Sequence, residues 1–412
     1  ALILGHRGSR MGIQPAGGKT LADTTCIKCG QCTLYCPVGA ITEKSQYKQV
    51  YQKLQNPTHK LSVVQCAPAV RIAISEAFGL KAGTISTGKL VNALRLLGFD
   101  LVFDTNYSAD LTIMEEATEL VSRLSDPKAA LPMFTSCCPA WVNFVEQSRP
   151  EFIPNLSSCR SPQGMLSSLI KNVLPKSRGL KPEEVYNVSV MPCTAKKDEI
   201  RRPQLNNETD EVITVRELAD MIRMAGINFN ELSDDGNFDT IYGVASGAGA
   251  IFGATGGVME AALRTAFEVI TGKKLVDVEV KDVRGFKDGV KIANFDFDGT
   301  KVKVAVCHGI NNTMQFLDRL KAGDEALKDV KFVEVMACPG GCVVGGGTPT
   351  PKDSKAIEKR LAGIYAVDAS STYRKSHENP LIKELYAQVL GKPNSHLAHE
   401  LLHTHYESRP RN

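Results

Sequence analysis

The segment Cys26-Ile-Lys-Cys29-Gly-Gln-Cys32-Thr-Leu-Tyr-Cys36-Pro37 sets four thiols at the C-x2-C-x2-C-x3-C-P spacing with which a short chain wraps an iron–sulfur cluster. Thiolates suit soft iron, and a structural zinc site is the bland alternative for such a run. Three more thiol groups follow. Cys137 and Cys138 are adjacent in Thr135-Ser136-Cys137-Cys138-Pro139-Ala140-Trp141, so they point in different directions: one can ligate while the other stays a free acid or base. Met191-Pro192-Cys193-Thr194-Ala195-Lys196-Lys197-Asp198-Glu199 puts a thiol near a cation able to stabilise a thiolate or an anionic ligand. Cys338-Pro-Gly-Gly-Cys342 precedes Gly345-Gly346-Gly347, and glycines there remove side chains so that backbone can approach a bulky inorganic ligand. Read singly, each group has a plain alternative: buried small hydrophobes, or a tight glycine turn with two buried thiols.

The spacing of the first run carries a puzzle. In two-cluster ferredoxins the fourth cysteine of each run serves the other cluster. Residues 1–25 hold no cysteine, so either Cys36 completes a single site or its partner motif lay upstream. The segment before Cys26 reads as a linker between two such motifs, and the visible start is Ala1, so truncation is the expectation.

The elements that must position these thiols follow from periodicity. Short apolar runs alternate with helical patterns from about Leu61 onward, which reads as α/β with mainly parallel sheets. The predicted strands are Leu61–Cys66, Leu101–Phe103, Met133–Thr135, Val185–Met191, Thr240–Val244, Val302–Cys307 and Phe332–Met336. Predicted helices cover Tyr47–Asn56, Val70–Phe78, Lys89–Leu97, Thr112–Leu124, Val215–Ala225 and Gly257–Thr271. Cys66, Cys137, Cys138, Cys193 and Cys338 all fall at or just after a strand end, where open parallel sheets bind ligands. Cysteines distant in sequence can thus meet in one crevice. Residues 1–57 read as a small iron–sulfur segment too short for its own core. Residues 58–412 read as one large α/β unit with a helical tail from about residue 377.

Twelve cysteines in tight groups favour ligation in a reducing compartment over disulfide staples. A net charge of +4 over 412 residues gives no reason to expect nucleic acid or a membrane surface. No apolar run approaches the roughly 20 residues of a membrane span.

Together, Thr135–Trp141, Met191–Glu199 and Glu334-Val-Met-Ala-Cys338-Pro-Gly-Gly-Cys342-Val-Val-Gly-Gly-Gly347 resemble, in order, the three signature segments of the iron–iron hydrogenases. Ser246 to Ala266 resembles a further family segment, and the likeness runs from about Leu61 to the C-terminus. The resemblance implies a two-lobed α/β catalytic domain with flanking helices, preceded by a ferredoxin-like iron–sulfur segment. It implies that Cys138, Cys193, Cys338 and Cys342 hold a four-iron cubane. Cys342 would also bridge to a diiron subsite carrying carbon monoxide, cyanide and a dithiolate with a central amine. Cys26, Cys29, Cys32 and Cys36 would hold a separate four-iron cluster. Cys137 would be the thiol that passes protons to the amine, and Lys196 would bond a cyanide. Ala67, Pro68, Gln163, Met191, Phe252 and Met336 would line the pocket. The implied proton route runs from Cys137 through Glu116 and Ser157 to Glu119 and Arg123. Spacing is compatible, because Glu116, Glu119 and Arg123 lie three and four apart on one predicted helix.

The implied activity is reversible reduction of protons to molecular hydrogen, with electrons exchanged with a ferredoxin or flavodoxin. Dedicated maturation proteins would install the diiron subsite, and the setting would be a cytoplasm or an anaerobic organelle. Two departures stand out: Ala140 replaces a usual glycine, and Ala195 stands where relatives have Ser or Arg. Cys66 is not a recognised family ligand and is expected near the pocket, whereas Cys159 and Cys307 read as core. The rivals are a hydrogenase-like iron–sulfur assembly protein and a low-turnover sensory relative. Retention of Cys137, Glu116, Ser157, Glu119 and Lys196 argues against both.

Overall fold

The computed structural model describes residues 1–409. Ten strands are formed among them. In chain order they are β1 (Leu2–Gly5), β2 (Gly12–Pro15), β3 (Leu61–Cys66), β4 (Leu101–Asp104), β5 (Met133–Phe134), β6 (Val185–Met191), β7 (Glu211–Thr214), β8 (Val290–Phe297), β9 (Thr300–His308) and β10 (Val330–Met336). They build two four-stranded sheets and a terminal hairpin. The first sheet, ordered β4-β3-β6-β7, is parallel throughout. Every residue of β3 and β6 is buried, as expected of central parallel strands covered by helices on both faces.

The second sheet is ordered β5-β10-β9-β8, with β8 antiparallel to β9 and the other pairs parallel. The β8–β9 hairpin closes on Asp298-Gly299, both with positive φ, the two-residue turn that matches strand twist. Strand β8 is additional to those expected from the sequence. So are β1, β2 and β7, all only four residues long.

One predicted strand is absent. Thr240–Tyr242 forms a 3-10 turn instead. Its predecessor Asp239 occupies the edge of β4, donating its N–H to the Val102 carbonyl at 2.9 Å and accepting the Val102 N–H on its carboxylate at 2.7 Å. One side chain thus takes a bond that a further strand would make, and Gly243 turns the chain away by donating to Thr240.

Helices flank both sheets. That from Thr105 to Ser125 starts earlier than its apolar periodicity suggested, because the Asp104 carboxylate caps it by accepting the Asn106 N–H. Asp104 also holds Arg71 through two buried hydrogen bonds, and Arg71 Nε donates to the Pro68 carbonyl. The β3 and β4 ends and the loop after β3 are therefore tied together. The helix Gly257–Thr271 forms with the boundaries read from its pattern. Its N-terminus is capped by the buried Glu334 of β10, which accepts the Gly256 and Met259 N–H groups at 2.7 and 2.8 Å.

Candidate active site between the two sheets

The thiols lie just beyond the carboxyl ends of strands from both sheets. Cys193 follows β6 in the first, whereas Cys137 and Cys138 follow β5, and Cys338 and Cys342 follow β10, in the second. The Thr135–Cys138 segment is fixed by side chains at either end. Buried Trp141 donates from Nε1 to the Thr135 carbonyl, Thr135 Oγ1 accepts the Val335 N–H, and Ser136 Oγ donates to the Cys159 carbonyl.

Burial raises the Cys138, Cys193, Cys338 and Cys342 thiols, and in each of the last three negative charge on neighbouring members of the set adds to the rise. Four buried thiols that oppose one another's ionisation are poorly placed as bare protein and well placed as ligands to a cationic iron centre. Cys137 belongs to the same cavity but answers chiefly to burial and then to Glu116.

That cavity has an almost wholly apolar wall. Ala67, Pro68, Gln163, Met191, Phe252 and Met336 all line it, together with Cys137, Cys138, Cys193, Cys342 and Lys196. Every pocket residue expected from the sequence is brought to this one place. Cys66 lies behind the wall: its thiol is fully buried in a core cluster with the lining residues Ala67 and Met191, and burial pushes its pKa up. Cys159 and Cys307 are buried core residues.

Lys196 is buried at the wall. Burial pulls its pKa down, but Glu199 outweighs this and leaves it raised. Lys196 Nζ lies 2.8 Å from Glu199 Oε2 and donates to the Cys137 carbonyl at 3.2 Å. The same carboxylate oxygen accepts from Gln163 Nε2 at 2.9 Å, leaving Gln163 Oε1 buried without a partner. Glu199 therefore holds two pocket residues at once. Sequence reasoning assigned it no role; its position three residues after Lys196 was the available signal.

The expected acid–base residues gather around Glu119. Glu116 is pushed up to about 8 by burial first and then by the Glu119 charge, and its Oε2 is a buried atom without a protein partner. Ser157 Oγ donates to Glu119 Oε2 at 2.8 Å. Arg123 donates from Nε and Nη2 to Glu119 Oε1, and also to the Pro154 and Leu156 carbonyls. Glu116 is 3 % exposed, whereas the Glu119 and Arg123 side chains are 12 % and 16 % exposed, so the group lies deepest at Glu116.

The N-terminal thiol loop packs against this centre. Cys29 is raised by burial and further by Cys26, Cys32 and Cys138. Cys36 is distinct: backbone N–H groups of Ile41, Val38, Ala40 and Gly39 lower it. The loop is held by Lys28 on Asp198, Thr194 Oγ1 on the Lys28 carbonyl, Arg216 on Glu43, and Gln31 Nε2 on both Cys338 Sγ and the Val344 carbonyl.

Within the glycine run after Cys342, Gly346 serves this packing. A Cβ on Gly346 would strike the Cys29 carbonyl and Gly30, and one on Gly347 would meet Thr214. Ala140 and Ala195, the two departures, share a small apolar cluster with Cys193 and Ala337.

The site is thus an apolar cavity lined by Cys138, Cys193 and Cys342 with Cys137, with Cys338 and a second thiol loop beside it and a group of acid–base residues around Glu119. Comparison with known proteins agrees. Residues 60–346 match the model for the C-terminal domain of the iron-only hydrogenase large subunit. Residues 354–409 match that of the iron hydrogenase small subunit, and residues 23–42 a 4Fe-4S binding domain. The chain belongs to the iron-only, or iron–iron, hydrogenase family.

It is 46% identical to the NADP-reducing hydrogenase subunit HndD of Solidesulfovibrio fructosivorans, over 98% of this chain and 70% of that protein. It is likewise 46% identical to iron hydrogenase 1 of Clostridium pasteurianum, over 90% of this chain and 65% of that protein. The solved structure of an iron–iron hydrogenase variant from Chlamydomonas reinhardtii superposes with a TM-score of 0.78 at 43% identity, covering 89% of this chain and all of that one. A cytosolic Fe-S cluster assembly factor of Xenopus tropicalis matches at 32%, over 97% of this chain and 88% of that protein. Iron–sulfur clusters and an oxidoreductase of the hydrogenase type follow from this membership. Among the described residues no helix is long and apolar enough to cross a membrane.

Proposed function

We propose that the chain catalyses the reversible reduction of protons to molecular hydrogen, with electrons entering through the Cys26–Cys36 loop from a ferredoxin-type carrier. The observation that carries this reading is the single cavity that gathers six expected lining residues, Cys137 and Lys196 beside the candidate ligands Cys138, Cys193 and Cys342. An iron–sulfur assembly protein needs thiols but has no use for an acid–base group beside such a cavity.

In this reading Cys138, Cys193, Cys338 and Cys342 would hold a four-iron cubane, and Cys342 would also help to hold a diiron unit. The fit rests on the donor chemistry of four opposed buried thiols and on the partnerless Gln163 Oε1 and Glu116 Oε2, since buried acceptors of this kind are normally satisfied. When bound, the diiron unit supplies the redox chemistry by which the H–H bond is made or broken.

The protein's own residues do the rest. Cys137 holds a proton at Sγ, since burial opposes its thiolate, and delivers that proton into the cavity. Glu116 reloads it, being protonated at neutral pH yet able to ionise near pH 8. Ser157 and Glu119 carry protons onward and Arg123 holds the outer carboxylate. Lys196, charged because Glu199 faces it, presents N–H donors to an anionic ligand. Met191, Met336, Phe252, Ala67 and Pro68 keep the wall dry, which strengthens every polar contact inside.

Hydrogen evolution by the maturated protein with chemically reduced ferredoxin tests the proposal. Gas production that is lost in Cys137→Ala supports it, and absence of gas from a fully loaded parent contradicts it. The name of the first relative favours a second electron source, a partner protein linked to NADP; ferredoxin failing while such a partner works would select it.

A further inference from the structure

The C-terminal tail reads from sequence as a packing arm, yet it reaches the acid–base group around Glu119. His403 is 6 % exposed and follows the helix His396–Leu402. Its Nε2 lies 3.0 Å from Glu115 Oε2 and its Nδ1 lies 2.8 Å from Ser158 Oγ. Glu115 also accepts the Tyr386 hydroxyl and the Asn394 N–H. With donors at both oxygens, Glu115 takes the imidazole Nε2–H as one more, so in the neutral ring Nδ1 is left to accept from the Ser158 hydroxyl.

Ser158 is the hinge between the tail and that group. Its N–H donates to both oxygens of Glu119, at 3.2 and 3.1 Å, while the neighbouring Ser157 hydroxyl bonds the same carboxylate. The tail clamps this short segment from outside. Thr404 N–H donates to the Ser158 carbonyl at 2.7 Å, Arg160 N–H to the Leu402 carbonyl at 2.8 Å, and Arg160 Nε to the His403 carbonyl at 2.9 Å. A ring nitrogen of His403, a Glu119 oxygen and the Cys159 sulfur all lie within 4.8 Å of one another. Arg123 holds Glu119 on one side, and a tail-clamped backbone holds it on the other.

We propose that His403 is a positioning residue of the proton outlet: by holding the Ser158 hydroxyl it fixes the backbone that aims Glu119 at Ser157. The segment that matches the small-subunit model would thereby complete the outlet as well as cover the fold. This rests on the reading that Glu119 carries protons. Misplacing a relay group by an ångström costs about ten- to a hundredfold in rate, far more than loss of one surface contact would.

His403→Ala and Ser158→Ala test the idea together, since Ser158→Ala keeps the backbone N–H and removes only the hydroxyl that His403 holds. Two readouts are needed. One is turnover per loaded diiron centre in light and heavy water. The other, on protein carrying only its four-iron centres, is the pH midpoint of the infrared band of the protonated Glu116 carboxyl. Both variants are expected to keep their four-iron absorbance, lose about ten- to a hundredfold in turnover, show a larger solvent isotope effect and move the Glu116 midpoint. A parent-like isotope effect and midpoint in both variants overturns the proposal even if turnover falls, because that pattern marks mere packing. Glu119→Gln run alongside separates the two levels. If it turns over at the parent's rate the relay reading fails, while the Glu116 midpoint still judges whether His403 positions the outlet.

Discussion

Gln31 and Cys338 stand 307 residues apart in the chain, and Gln31 Nε2 donates to the Cys338 sulfur at 3.1 Å. The bond joins the N-terminal thiol loop to a candidate ligand of the active-site cubane. Hydrogen bonds to ligand sulfur stabilise the reduced, more negative cluster and so raise its potential.

Gln31→Leu is therefore expected to lower the midpoint potential of the active-site cubane by about 40 mV, the equivalent of one neutral hydrogen bond of about 1 kcal/mol. Potentiometry followed by electron paramagnetic resonance measures this. An unchanged potential would mean the contact has no bearing on electron transfer.

Cys137→Ala should leave iron content and visible absorbance intact, because Cys137 is assigned no ligand role. Turnover should fall by about 10²–10⁴-fold, the usual worth of a positioned proton donor. Parent-like hydrogen evolution would remove Cys137 from the proton route.

Glu116 yields a prediction with a sign. Its folded pKa of about 8 lies above the ordinary 4.5, so its contribution to stability is present below pH 4.5 and is lost as pH rises through about 8. Glu116→Gln cannot ionise, so its stability relative to the parent should rise from about pH 6 to about pH 9, by on the order of a few kcal/mol. Thermal unfolding of the two proteins at both pH values checks it; parallel profiles would mean Glu116 is not a buried, proton-holding carboxyl. The same variant should lose turnover as Cys137→Ala does.

Glu199→Ala leaves the Lys196 ammonium buried without its carboxylate and frees the Gln163 amide. A buried charge left unpaired costs about 3–5 kcal/mol. Calorimetry should show a lower unfolding temperature, and maturation should load less diiron unit, whereas Glu199→Gln should be milder on both counts. Parent-like loading in Glu199→Ala would show that Lys196 and Gln163 need no such anchor.

How far the sequence carries depends on the range over which each feature is decided. The thiol groups are legible because metal ligation imposes residue type and local spacing, and strand-end placement explains why distant groups meet. Gly257–Thr271 is legible to its last residue because positive-φ glycines bracket a periodic run. The β8–β9 hairpin also carries a local signal, its Asp-Gly turn, although the strand before that turn lacks a clean apolar alternation and stays outside the expected set. Thr240–Tyr242 misleads, because a side chain from the adjoining residue pre-empts part of the β4 edge. Gln31, Glu199 and His403 act through partners fixed only by tertiary packing, and no local pattern marks them as a set. The glycines of 345–347 carry a clear signal for close approach, but not for what approaches: Pro192 at Gly345, the thiol-loop backbone at Gly346 and Thr214 at Gly347.

The most direct test of the whole account is an anaerobic infrared spectrum of the maturated protein, set beside that of Cys342→Ala. Bands of both metal-bound carbon monoxide and cyanide in the parent, lost or strongly depleted in the variant, are the predicted result. Their absence from the parent, with maturation verified and four-iron signals still present, would contradict the account and place the chain with the iron–sulfur assembly proteins of its family.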